Sequence, residues 1–160
     1  MKVLLAVLVS GTVTVAQAQA PSPASSRTMV SASDVAAMIA KAKAERKDQP
    51  NIAQSMIQLA PYNVSLEYRA SVGNAAVHET EAELFYVVDG SATLVTGGTL
   101  TDSTRTGANL TGKGIQGGVS RKVAKGDFVM VPEGQAHWFS AIDGTIVLMS
   151  LHLPHAAAGR

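Results

Sequence analysis

Residues 126–137 read Gly126-Asp127-Phe128-Val129-Met130-Val131-Pro132-Glu133-Gly134-Gln135-Ala136-His137. A four-residue apolar run, Phe128 to Val131, is closed at both ends by turn-forming residues, which is the pattern of a short strand. Pro132 sits at the strand end, where its missing N–H costs little. Gly134 supplies the turn that brings His137 back into a following strand. Upstream lies a second stretch of the same kind, His78-Glu79-Thr80-Glu81-Ala82-Glu83-Leu84-Phe85-Tyr86-Val87-Val88-Asp89-Gly90. It too places a histidine and carboxylates beside a short apolar run that ends at a glycine. Imidazole and carboxylate together suit zinc, iron, manganese, nickel or copper. The chain has no cysteine, so nitrogen and oxygen are the donors for any metal.

Working outward, short strands are predicted over Gln54 to Leu59, Val64 to Arg69, Ala75 to His78, Glu83 to Val88 and Ala92 to Val95. More follow over Phe128 to Val131, Ala136 to Ile142 and Thr145 to Leu153. Asp89-Gly90 and Asp143-Gly144 carry the hairpin-turn signature. Residues 97–124 are rich in Gly, Thr and Ser with few strand signals, and are expected to form a long loop that contributes to the rim of a site. Ahead of the strands, Ser31 to Lys47 is predicted to be a helix. Ser31 or Ser33 can cap it, Asp34 suits the positive end of its dipole, and Val35, Met38, Ile39 and Ala42 form one apolar stripe. Many short strands and one helix argue for an all-β fold, a jelly-roll barrel preceded by an N-terminal helix.

Composition sets the limits. The chain has 160 residues, enough for one domain, and 46% are hydrophobic but 4% aromatic, so the core is aliphatic. Net charge is +1 and there is no long basic run, which argues against nucleic acid as a partner. Lys2 followed by the apolar run from Val3 to Val9, then Ala16-Gln17-Ala18, reads as a secretory signal peptide over residues 1–18. An exported protein, periplasmic or secreted, is therefore expected, with no membrane contact after cleavage. Residues 19–50 are divided between a Pro/Ser/Ala-rich tether and the helix, residues 51–155 form the barrel, and residues 156–160 are a C-terminal tail.

The two histidine stretches resemble the motifs of the cupin superfamily, single β-barrels of type 2. The second motif of that family is commonly Gly, five residues, Pro, any residue, Gly, two residues, His. Gly126, Pro132, Gly134 and His137 match it throughout. The first motif is commonly His-any-His, three or four residues, Glu, six residues, Gly. His78, Glu83 and Gly90 match, whereas the first histidine position is occupied by Ala76. The asparagine that often follows the second motif is replaced by Ala141. The resemblance runs over about Ile52 to Pro154. It implies one divalent metal ion (zinc, manganese, iron, nickel or copper) held by His78, Glu83 and His137. Two imidazoles and one carboxylate leave open positions for water and substrate. Glu79 or Glu81 could supply the missing ligand, or act as a catalytic acid or base.

Two function classes follow from that resemblance. One is a metal-dependent enzyme acting on a small polar molecule by isomerase, lyase or dioxygenase chemistry. The other is a non-catalytic barrel that binds a small ligand, with or without metal. A homodimer is a further assembly the resemblance implies. His152, which shares a strand face with Ser150, could be a fourth ligand or a general base. His155 is expected in solvent. Tyr68 and Arg69, on opposite faces of one strand, could reach a substrate carboxylate or hydroxyl, but a surface position is the expectation. Tyr86 and Trp138 are out of phase with Glu83 and His137 and are expected on the outer face, against the helix or a partner subunit.

Overall fold

The computed structural model describes residues 26–155. The expected signal peptide, the first part of the tether and the C-terminal tail lie outside the described residues. Within the tether, Arg27 exchanges backbone hydrogen bonds of 3.0 and 2.9 Å with Gln58, so its end is laid along the first strand.

Helix α1 (Ala32–Glu45) starts at Ser31. The Ser31 hydroxyl accepts from the Asp34 N–H at 3.1 Å, and the Asp34 carboxylate accepts from the Ser31 N–H at 3.0 Å. This reciprocal cap satisfies two of the donors a helix N-terminus leaves free. The expected stripe is the buried one: Val35, Met38 and Ile39 pack with Ala42 over Met56, Leu66, Tyr68 and Val147. Gln54 adds a 2.8 Å hydrogen bond to the Met38 carbonyl. The helix thus covers the outer face of strands β1 (Asn51–Leu59) and β2 (Tyr62–Arg69), which form an antiparallel hairpin.

The remaining strands are β3 (Ala75–His78), β4 (Glu81–Thr96), β5 (Thr99–Thr101), β6 (Thr104–Thr106), β7 (Asn109–Gly112), β8 (Gly114–Gln116), β9 (Val119–Ala124), β10 (Phe128–Val131) and β11 (His137–Pro154). β4 and β11 form the frame. They pair antiparallel from Pro154 opposite Glu81 to Trp138 opposite Val95, and His137 opposite Thr96. β2 flanks β11, while β9 and β10 lie along β4. Between these strands lies the interior cluster, with Phe85, Val87, Leu94, Phe139, Ile146 and Leu148 at its centre. This is an all-β jelly roll with one helix in front.

Three expectations need correction. Asp89-Gly90 and Asp143-Gly144 are not hairpin turns. Both fall inside long strands, where β4 and β11 bend together at one corner of the barrel. Register is irregular there between Ile142 and Ile146. Gly90 has φ 81°, and a Cβ on it would lie 2.0 Å from the Thr145 carbonyl oxygen. The same freedom at positive φ that makes a tight turn here makes a strand bend. Second, residues 97–124 are not one loop; they fold into short strands, β7 pairing with β3 and β6, and β5 with β8. Third, neither Tyr68 nor Arg69 is a surface residue. Tyr68 is buried under the helix. Arg69 points inward, its guanidinium 4.9 Å above the Phe139 ring and 2.6 Å from the Glu67 carboxylate.

Tyr86 and Trp138 are outside as expected, but neither is held by the helix. Tyr86 packs on Phe128, with ring centroids 4.6 Å apart. Trp138 donates from its indole nitrogen to the Gly73 carbonyl at 2.9 Å. No helix among the described residues is long and apolar enough to cross a membrane.

Candidate metal centre

Three strand ends deliver the expected ligands to one place. His78 closes β3, Glu83 lies near the start of β4, and His137 opens β11. One donor atom from each lies within 4.8 Å of the other two. Alternation along the strands aims all three inward. Glu83 shares the inward face of β4 with Phe85 and Val87, and His137 stands 5.9 Å from the Phe85 ring, centroid to centroid. The site is therefore the polar end of an otherwise apolar interior.

Glu83 is the hub. It is 3% exposed, and an isolated buried carboxylate is costly unless it is paired. Its Oε1 accepts a 2.5 Å hydrogen bond from the buried Ser150 hydroxyl. Its Oε2 stands 3.1 Å from His137 Nε2 and 3.4 Å from His78 Nε2, close approaches without hydrogen-bond alignment, so among the described residues this buried oxygen has no aligned hydrogen-bond donor. Burial pushes the Glu83 pKa up, but the adjacent His137 and His78, helped by Ser150, outweigh it and hold the group below the ordinary carboxylate range. In turn the Glu83 carboxylate raises the pKa of His78 against the opposing effect of burial. Glu83 is thus held as an anion with an unmatched lone pair, between two imidazole nitrogens. That is the donor chemistry a divalent cation needs, and the residues present fit such an ion.

The imidazoles are oriented from behind. His78 Nδ1 lies 2.9 Å from Asn109 Oδ1 on β7. His137 Nδ1 lies 3.3 Å from the Gln135 carbonyl oxygen. Acceptors at Nδ1 place the ring proton there and leave Nε2 free to face the centre. The segment 97–124 therefore does contribute to the site, through Asn109. Nothing local in the sequence marks Asn109 for this task, because it depends on the pairing of β7 with β3. Ser150 was legible as a residue on the face of His152, but its role depends on the register of β11 against β4.

The two acids expected to handle protons part company. Glu79 lies at the surface in a two-point ion pair with Arg105, at 2.5 and 2.9 Å. Glu81 turns toward the site and lies 3.1 Å from His152 Nδ1. His152 stands opposite Glu83 in the strand register, with Nε2 3.4 Å from Glu83 Oε1. His155 is outside the cluster and pairs with Glu133 at 2.8 Å.

The architecture is thus a small β-barrel with an inward His–Glu–His cluster at one end that could hold a metal ion. The Cupin family model matches residues 43–156, and the chain belongs to the cupin family. No curated protein sequence matches it. Among solved structures, BH2720 from Bacillus halodurans is similar with a TM-score of 0.52 and 12% identity, covering 82% of this chain and 85% of that one. KdgF from Halomonas sp. has a TM-score of 0.50 and 15% identity, covering 68% of this chain and 84% of that one. FeII HppE has a TM-score of 0.50 and 12% identity over 65% of this chain, which spans 51% of that protein. At such identities these likenesses speak to the fold alone.

Proposed function

We propose that this protein is an exported, divalent-metal-dependent cupin enzyme acting on a small polar molecule. The observation that carries the reading is the buried Glu83 oxygen without an aligned hydrogen-bond donor among the described residues, flanked by the Nε2 atoms of His78 and His137. When bound, a divalent ion there would supply Lewis-acid polarisation of a substrate or water oxygen. The chain's own part is to hold Glu83 ionised through Ser150 and the histidines, and to keep water from the apolar interior beneath the site. Glu81 is the acid that serves the centre, through His152. The missing histidine at Ala76 favours a second reading, a barrel that binds a small ligand without turnover.

One experiment separates them. The untagged mature protein is stripped with chelator, reloaded separately with zinc, manganese or iron(II), and incubated with a panel of small hydroxylated and carboxylated metabolites followed by NMR. Metal-dependent product formation that disappears in Glu83→Gln supports the enzyme. Saturable ligand shifts without product would move the assignment to the binding barrel. Turnover that survives complete chelation would refute the metal-dependent mechanism.

A further inference from the structure

We infer that His152, on the last strand, is a fourth protein ligand of this metal centre, and that Glu81 is its positioning residue. The inference rests on the metal-binding reading above and adds to it a ligand from a different strand than the position Ala76 left empty of imidazole. Ala76 stands opposite His137 in the register, so its side of the centre offers only a methyl group. His152 stands directly opposite Glu83. Cross-strand partners project to the same face at close range.

The wiring of His152 repeats that of the two histidines already described. In all three, Nδ1 is engaged by an oxygen acceptor: Asn109 Oδ1 for His78, the Gln135 carbonyl for His137, Glu81 Oε2 for His152. In all three, Nε2 approaches the Glu83 carboxylate, His78 and His137 at Oε2 (3.4 and 3.1 Å) and His152 at Oε1 (3.4 Å). The His152 ring meets the His78 ring edge-on with centroids 4.7 Å apart. A carboxylate behind an imidazole fixes its tautomer and strengthens it as a donor, the arrangement common to metal-bound histidines. A histidine present only to neutralise Glu83 would not need a second carboxylate at its far nitrogen. His155 provides the contrast: its Nδ1 pairs with Glu133 at the surface, and it contributes nothing to the cluster.

The test uses the untagged mature protein, loaded with one equivalent of copper(II) as probe. Pulsed EPR counts coordinated imidazoles, and competition with a chelator gives the copper affinity. We expect three imidazoles in the wild type, two in His152→Ala with at least about tenfold weaker binding, and three in His155→Ala with unchanged affinity. Glu81→Gln is expected to keep three imidazoles but bind about 10- to 100-fold more weakly, the usual cost of losing an orienting partner. A count of two in the wild type, or identical spectra and affinity in wild type and His152→Ala, overturns the inference while leaving the three-residue centre intact. No copper bound by the wild type overturns both. The wild-type count decides the matter even if His152→Ala fails to fold.

Discussion

The two faces of β11 differ in what they ask of their residues. On one face, Val147, Met149 and Leu151 pack toward the helix-covered cluster, apolar along its length. On the other, Ile146 and Leu148 belong to the barrel interior, and the next two inward positions are Ser150 and His152. One strand thus carries a continuous packing surface and, on the face behind it, a change from core to site. The lesson is a division of labour: the face under the helix serves packing along its whole length, and the candidate site is confined to one end of the interior. Local losses in the first should leave the second intact, and the reverse.

The sharpest way to break that division is Leu66→Ala. Leu66 is 0% exposed beneath the helix, so its truncation is expected to cost about 2–5 kcal/mol in urea unfolding. Metal affinity of the folded fraction should be unchanged; a matching loss of affinity would show the two regions to be coupled. A somewhat smaller effect is expected from metal itself. Ligand at about a hundred times its dissociation constant stabilises by about 2.7 kcal/mol. That increment should vanish with chelator and in Glu83→Gln, but persist in Leu66→Ala. If chelation leaves the melting temperature of the wild type unchanged, the site does not hold metal in the folded state.

The smallest effect lies at the helix cap. Ser31→Ala should cost about 1 kcal/mol near neutral pH without altering metal binding. Hydrogen bonds from the Ser31 backbone and side chain hold the Asp34 pKa below its ordinary 3.8. A depressed folded-state pKa means that this stabilisation is present above the ordinary value and is lost as pH falls through the folded one. The difference between wild type and Asp34→Asn, which removes the titrating carboxylate, should therefore narrow in urea unfolding as pH is lowered from about 7 to about 3. A constant difference would assign the cap to the Ser31 hydroxyl alone.

Legibility in the sequence followed the range of the interactions involved. His78, Glu83 and His137 could be found because each is set by spacing within one strand and its adjoining turn. The helix was readable for the same reason: cap, stripe and charges are all local. The corner at Gly90 was misread because positive φ has the same signature in a hairpin and in a bent strand, and only the approach of Thr145 decides between them. Arg69 was misplaced because an interior arginine is unfavourable unless paired, and its partners, Glu67 and Phe139, are partly a product of the fold. Asn109 and Ser150 were missed as site residues because their roles exist only through long-range strand register. His152 stood between these cases. Its face was readable, but its carboxylate partners were not.

The central claim is that Glu83 and its histidines form a metal centre. It is tested most directly by metal content, measured by mass spectrometry on the untagged mature protein after reconstitution with divalent metal and desalting, beside His137→Ala. The account predicts close to one metal ion per chain in the wild type and a large loss in the variant, with the variant still folded by circular dichroism. A wild type that retains no metal, or a His137→Ala protein that retains as much as the wild type, would contradict it.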